Sequence, residues 1–503
     1  MSKLVSMYER DDRPELDYPG GPRHETLDCD VAVIGAGGSG LSAAIRAAQC
    51  GARVVVVEKM DRLGGNSRLA GGLLSTTSRF QRALGQEDKT DHYLHQAHSL
   101  HKYTLDPGIF SRYIRNSGKY LEWLADLGLD MDNVRYVMDS VAMIKDRLEP
   151  GPLNNPCYGP GLMGSAVVDL LAGKLEEYGV ILRHSTKVTS LLTNDAGSVC
   201  GLEAVGQDGS LTVNARSVII ASGGFGGNAE MLRRLLPKYF SSDNYIAHYC
   251  WLSTTGDGIT LAEAVGAETG KMLSVGMEAL SHIPGAYSIQ RISRCPIGVI
   301  INKNARRFIA EDDADDGEFA VDMQPEGKVY EIFDANMLRM MHAYALEKAQ
   351  FGDPVPSFEE LEADLRRESG EGKVAIAGTL DELAGFIGCT GEALCQFVHD
   401  YNELCRDGYD PDFFKDPKYL VPIETGPFYA VVLTRKFDVT MGGVSVGPDL
   451  RVVRPDGSSI EGLYAVGDIA SGWMGEEYGP LFSSFAWALN SGYLAGEAAA
   501  KAK

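Results

Sequence analysis

No Cys-x-x-Cys pair occurs in this chain. Its nine cysteines are scattered at positions 29, 50, 157, 200, 250, 295, 389, 395 and 405. That spacing excludes the usual iron–sulfur, zinc-ribbon and attached c-haem patterns. An odd number of thiols without framework spacing fits a reducing compartment, and the expected localisation is cytoplasmic. Apolar runs are short as well, none nearing the ~20 residues that span a bilayer. Residues 1–28 are polar, rich in acids and prolines, and lack the regions of a signal peptide, so they are expected to form an N-terminal arm. Positive charge is scarce: 47 Lys and Arg face 69 Asp and Glu, a net charge of −22. Such a surface repels nucleic acid and anionic membranes, and both are discarded as partners. Histidines are few, and only His92, His95, His98 and His101 cluster. Their spacing is helical, but no carboxylate set accompanies them, so they read as a polar helix face and no metal site is predicted.

What is present is a chain of 503 residues, 44% hydrophobic. That is too long for one compact domain, and two domains or a discontinuous domain carrying an insertion are the natural options. The most informative stretch is 30–72. The apolar run Val31–Ile34 suits a buried parallel strand, and Leu41–Cys50, with four alanines, suits a helix packed close upon it. Between them stands Gly35-Ala36-Gly37-Gly38-Ser39-Gly40. Gly35 allows the tight turn, Gly37 lets the backbone approach a pyrophosphate, and Gly40 lets helix and strand touch, leaving a helix N-terminus aimed at phosphate. A second strand, Val54–Val57, ends at Glu58. A carboxylate there accepts from both ribose hydroxyls of an adenosine and repels a 2′-phosphate, which disfavours NADP. With Gly64-Gly65-Asn66-Ser67 following, the stretch reads as a dinucleotide site, and more narrowly as one for FAD.

Further along, Val218–Gly224 and Gly462–Asp468 each read as a strand running into a glycine turn, both in the same sheet. Between them lie acidic, helix-favouring stretches, Phe358–Glu368 and Leu380–Leu404, which suit a module inserted into the nucleotide domain.

Taken together, Gly35–Gly40, Glu58-Lys59, Gly64–Ser67, Ala70-Gly71-Gly72, Thr255–Gly258, Asn302–Phe308, Thr440–Gly443 and Gly462–Asp468 resemble the flavoprotein family that includes fumarate reductase and succinate dehydrogenase flavoprotein subunits, urocanate reductase and the 3-ketosteroid dehydrogenases. The motifs run in that family's order from residue 29 to the end of the chain. The resemblance implies an α/β fold: a Rossmann-like, discontinuous FAD-binding domain (29–272 and 428–503) with an inserted α+β cap domain (273–427), the active site lying between cap and flavin. It carries over as cofactor-binding Gly35, Ala36, Gly37, Gly38, Ser39, Gly40, Glu58, Lys59, Gly64, Gly65, Asn66, Ser67, Ala70, Gly71, Gly72, Val188, Ala221, Ser222, Gly223, Asp257, Gly467, Asp468, Ser483 and Ser484. Where that family attaches its flavin covalently it uses a histidine, and Asn66–Ala70 holds none. The FAD is expected to be non-covalent.

The chemistry implied is hydride exchange between flavin N5 and a carbon–carbon bond next to a carbonyl, with a protein acid or base handling the second hydrogen. A helix over Ser483–Glu497 would direct its N-terminus at the N1 and O2 side of the flavin. Dicarboxylate reductases of the family clamp their substrate with cations, which a buried dianion requires. Those positions hold Val439, preceded by Asp438, then Asp315 and Gly479. The ketosteroid dehydrogenases' late tyrosine aligns with Tyr478, the expected donor to a neutral enone's carbonyl, though a tyrosine merely packed beside the flavin is the alternative. Arg294, His282 and Asp315 are weaker catalytic candidates. A small unsaturated acid held by a rearranged clamp of Arg291, Arg294 or His282 remains the second reading. A flavoprotein electron-carrier subunit is the third. The expected partners are an unsaturated carbonyl substrate and a separate electron donor: NADH, reduced flavin or a reductase.

Overall fold

The computed structural model describes residues 18–101, 103–137, 141–144, 163–237, 240, 245–247, 253–276, 279–282, 295–312, 320–321, 323–348, 355–475 and 483–502. These fall into two compact units. One holds the described residues up to 236, those of 249–276 and those from 438 onward; the other holds those of 237–248 and 277–437.

The larger unit is built on an eight-stranded sheet. Across it run Arg451–Val453, Ser459–Ala465, Gly209–Ile220, β1 (Arg23–Ile34), β2 (Val54–Val57) and Ile181–Arg183, with Thr186–Thr193 and Val199–Gly206 extending from Gly209–Ile220. The four pairings from Ser459–Ala465 across to Ile181–Arg183 are parallel. Both long central strands change character along their length. The first residues of β1 alternate between exposed and half-buried, those of Gly209–Ile220 bury every second residue from Leu211 to Ala215, and the last four of each, Val31–Ile34 and Ser217–Ile220, are buried throughout. That is the pattern of a parallel sheet covered on both faces at its carboxyl end. As expected, Leu463–Ala465 pair with Val218–Ile220 in this one sheet. The arm needs correcting. Arg23–Asp28 pair residue by residue with Gly209–Asn214, so they belong to β1, whose alternating pattern fits a half-covered strand.

α1 (Gly38–Gln49) lies against β1 on one side and against the long helix Ser483–Lys501 on the other. At two points the backbones of the two helices approach too closely for a side chain. A Cβ on Gly492 would stand 2.1 Å from Ser39 O, and one on Gly496 would stand 2.3 Å from Ala43 O. Ser42 Oγ donates to Leu489 O at 2.7 Å across the same crossing.

The second unit has a six-stranded sheet ordered Tyr245–Ala247, Phe428–Phe437, Val329–Asp334, Val299–Asn302, with Ala279–His282 and Val374–Ala377 also paired to Phe428–Phe437. Phe358–Gly370 is helical, closed at its start by a Ser357/Glu360 capping box. Leu380–Leu404 is two helices, Leu380–Ile387 and Gly391–Asp407. Gly388 takes φ +86 and ends the first, and Thr390 caps the second by accepting from Ala393 N. At one edge of this unit's core sits a buried charge network. Arg307 pairs with Glu311 and Asp410, both at 2.8 Å, and Lys415 pairs with Glu311 at 3.2 Å. Burial pulls the Lys415 ammonium below its ordinary range while Glu311 holds it up. Two cations and two anions therefore balance out of water.

His92 and His95 lie exposed on the helix Thr90–Leu100, whereas His101 is fully buried beyond its end, so they form no common face. Among the described residues no cluster of three or more candidate metal ligands occurs, and no helix is long and apolar enough to cross a membrane. Arg307→Ala, which takes the cation from buried Asp410 and leaves Glu311 only Lys415, is expected to destabilise the second unit by about 3–5 kcal/mol. Chemical denaturation followed by near-UV circular dichroism measures it.

Candidate functional site

A cavity of about 340 Å³ opens at the carboxyl ends of the parallel strands of the larger unit. Its wall begins at the turn between β1 and α1, and here the three glycines separate by role. Gly35 takes φ +101, and a Cβ there would stand 2.5 Å from Ala221 O. A Cβ on Gly40 would stand 1.9 Å from Gly35 O. Both positions need glycine for the fold alone. Gly37 differs, because a Cβ there would meet nothing nearer than Gly64 O at 3.8 Å. The space beside it is free for a ligand to approach the backbone. No side chain caps α1 at Gly37, and its first turn carries no acid. Ser67 Oγ accepts from Gly38 N at 3.0 Å, and Gly64 N donates to Ala36 O at 2.8 Å. The Gly64–Ser67 loop is thereby laid along the glycine turn and lines the cavity. Gly64 and Gly65, at φ +112 and +50, make that reversal.

Glu58 closes β2 and lines the cavity. One oxygen accepts from Ala36 N at 2.7 Å and the other from Met60 N at 2.8 Å. A carboxylate offers about four lone-pair sites, so two remain for ligand hydroxyls. Burial pushes this carboxyl above its ordinary range, while the two N–H groups and Lys59 pull it back. Lys59 Nζ bonds Asp257 at 2.6 Å and Thr255 Oγ1 at 2.8 Å. Burial acts on Asp257 to raise it, but Lys59 outweighs that and holds it below the usual carboxylate range. Asp257 begins the helix Asp257–Ala264 after Gly256 at φ +76, so the ion pair stitches β2 to that helix at the cavity edge.

Two polar groups in the wall lack protein partners. Ser222 Oγ is buried with no hydrogen bond, and Gly258 lacks the Cβ that would stand 2.3 Å from it. Asp468 is raised to about 7 by burial alone. It is held in place by Gly467 at φ +74, whose N–H donates to Ser491 Oγ at 3.0 Å and whose carbonyl accepts from Trp487 Nε1 at 2.9 Å. A buried hydroxyl and a half-buried carboxylate facing one cavity are costly unless a ligand with hydroxyl groups satisfies them. The donor set, the open Gly37 edge and these two orphans fit the phosphates and polyol of FAD.

Of the residues expected to hold the cofactor, Gly35, Gly37, Gly38, Ser39, Glu58, Lys59, Gly64, Gly65, Asn66, Ser67, Val188, Ala221, Ser222, Gly223, Asp257 and Asp468 line this cavity. Ala36 and Gly40 stand behind it, Ala36 bonding Glu58. Ala70–Gly72 lead from the turn Gly65–Leu69 into the strand Leu73–Leu74, and Ala70 O accepts from Gly164 N at 2.8 Å, away from the cavity wall. Ser483 and Ser484 begin the C-terminal helix, which runs to Lys501, and Ala488 one turn on lines the cavity. Sequence reasoning missed Arg62, Arg68, Lys187, Ser253 and Thr254, which also line it. Lys187 had a signal, as the neighbour of Val188. Arg68 is braced on Leu63 O at 2.7 Å and Asp169 at 2.8 Å, a pairing no local pattern announces. Tyr478, Arg294 and Asp315 lie outside the described residues, as do Arg291 and Gly479. His282 ends the strand Ala279–His282 opposite Leu433, and its side chain lies outside what is described. Val439 is buried in the strand Val439–Val444, with buried Asp438 before it.

Two outcomes are expected. Gly37→Ala keeps the thermal midpoint of the ligand-free protein but weakens FAD binding at least about tenfold, whereas Gly40→Ala lowers the midpoint itself; calorimetry and flavin titration separate the two. A sugar hydroxyl donating to Asp468 favours the ionised carboxylate, so its bound pKa falls below about 7. FAD affinity is then full above pH 7 and drops about tenfold per unit as pH falls below it. Asp468→Asn flattens that slope.

The model of the family described as FAD binding domain matches residues 30–479. A vinyl phenol reductase of Lactiplantibacillus plantarum (strain ATCC BAA-793 / NCIMB 8826 / WCFS1) is 28% identical over 482 residues, covering 91% of this chain and 92% of its own. The open conformation of a flavocytochrome c3 fumarate reductase superposes with a TM-score of 0.72 at 26% identity, over 94% of this chain and 78% of that one. A 3-ketosteroid Δ1-dehydrogenase from Sterolibacterium denitrificans superposes at 0.73 and 23% identity, over 95% and 100%, a likeness of fold. With that family's model matching residues 30–479, nearly the whole chain, this protein belongs to the FAD-binding-domain family and is a flavoprotein oxidoreductase.

Proposed function

We propose that this protein reduces or forms a carbon–carbon double bond conjugated to an uncharged activating group, an enone of the 3-ketosteroid type in first place. FAD, held non-covalently, supplies or receives the hydride when bound. The observation that carries the reading is Val439, an apolar residue buried in its strand at a position where dicarboxylate reductases are expected to place a cation. Asp438, buried just before it, brings no cation to that position either. The vinyl phenol reductase supports the same direction, because its named substrate is a neutral conjugated alkene.

The chain's own groups have three tasks in this reading. Glu58, Ser222 and Asp468 bind the cofactor's hydroxyls, and the N-terminus of α1 its phosphates. The start of the C-terminal helix places partial positive charge where the ring system gains electrons. Tyr478 donates a hydrogen bond to the substrate carbonyl, a bond that strengthens as negative charge builds on that oxygen. Arg294, His282 and Asp315 are the candidates for moving the second hydrogen as a proton. The cap domain of this reading is the unit containing 277–437, and electrons arrive from a separate donor: NADH, a reduced flavin or a reductase.

A second reading, reduction of a small unsaturated carboxylate, is favoured by the likeness to the fumarate reductase. A panel of oxidants separates the two. Mixed anaerobically with the reduced holoprotein, a neutral enone and 4-vinylphenol are expected to restore the 450-nm flavin band at least about a hundredfold faster than fumarate or urocanate. The reverse order would replace the first reading by the second, and failure of every alkene would remove both. Tyr478→Phe is expected to slow the enone by about 10²–10³ with little change in the rate of flavin reduction.

A further inference from the structure

One loop in the second unit is costly to stability in two ways. The segment from Gly408 to Asp416 is clamped from beneath. Asp410, fully buried, accepts from Arg307 at 2.8 Å and from the N–H groups of Asp412 and Phe413 at 3.2 Å each. Lys415 is buried against Glu311 and reaches Gly298 O at 3.3 Å. Asp416 N donates to Asp312 at 2.7 Å, and the Arg307 guanidinium lies 4.8 Å from the centre of the Phe413 ring. Beside these anchors the chain displays Tyr409 and Phe414, 56% and 71% exposed, their rings edge to face at 6.3 Å. Phe414 has φ +56. Glycine and asparagine accept that left-handed conformation, but a bulky side chain is strained in it. A strained residue persists only where surrounding contacts over-determine it, and the buried ion pairs on either side do so here. The loop is held rigid in a conformation whose visible product is an apolar ring pair in water.

We propose that this loop is a docking surface for a cationic protein segment. The exposed carboxylates of Asp407 and Asp412 stand beside the two rings in the chain and have no ion pair among the described residues. Aromatic faces next to unpaired carboxylates suit guanidinium and ammonium groups, which stack on the ring and pair with the acid. A second copy of this chain is the poorer occupant, because each copy carries a net charge of −22. Two rings and two acids make a small contact, fitted to a partner that binds and leaves.

The test uses the holoprotein and a fluorescein-labelled octa-arginine peptide at about 0.15 M salt, read by anisotropy. Tyr409→Ser and Phe414→Asn leave the net charge unchanged, so a general attraction between acid protein and basic peptide is common to all variants. Each is expected to weaken the peptide about tenfold, as is Asp407→Asn with Asp412→Asn. Phe414→Asn is also expected to raise the thermal midpoint, since it relieves the strained residue. Unchanged peptide affinity in the aromatic variants would overturn the proposal. So would a lower midpoint in Phe414→Asn, which would make the ring part of the fold. Sedimentation that shows a wild-type dimer lost in Tyr409→Ser would give the surface to a second copy and overturn it too.

Discussion

Close approach of backbone to backbone at the glycine turn is the constraint on which the larger unit depends. Gly40 touches Gly35, Gly35 touches Ala221, Gly492 touches Ser39 and Gly496 touches Ala43, each through a gap that a methyl group would close. Together these contacts press α1 between the sheet and the C-terminal helix. The phosphate-facing N-terminus, Glu58 at the end of β2 and Asp468 at the end of the last parallel strand are all fixed by that compression. Where backbone meets backbone at these glycines there is no rotamer to adjust, so an added methyl group has to move an element.

Electrostatics then divides the labour between the two units. In the larger one, polar groups are left incompletely satisfied where the cofactor is to bind: Ser222 without a partner, Asp468 raised by burial, Glu58 with lone pairs to spare. In the second unit the buried charges balance among themselves, Arg307 and Lys415 against Glu311 and Asp410. The first arrangement waits on a ligand, and the second fixes a loop without one.

What was legible in the sequence was what local physics dictates. The turn Gly35–Gly40, Glu58 and the strand ending at Ala465 each announce themselves within a few residues, because one segment carries the whole requirement. Arg62, Arg68, Lys187, Ser253 and Thr254 reach the cavity only through the sheet's register and the packing of distant segments, and no local pattern records that. The break in Leu380–Leu404 was written there as Gly388 and Thr390, a C-cap followed by an N-cap, outweighed by the helix-favouring residues around it. Arg23–Asp28 looked like a tail because an edge-to-centre extension of a strand is half polar. The placing of Tyr478, Arg294 and Asp315 rests on resemblance, since their roles depend on substrate geometry and not on any spacing.

The pairing of Leu463–Ala465 with Val218–Ile220 joins segments about 240 residues apart in the chain. At ribosomal rates of roughly 5–20 residues per second, on the order of tens of seconds separate the synthesis of the two strands. The residues 277–437, with their own sheet and core, emerge whole during that wait. A nascent chain thus carries a glycine turn and Glu58 long before Asp468 and the C-terminal helix exist to complete the cavity. The cavity is closed only once the residues from Asp468 to Ala488 have been added.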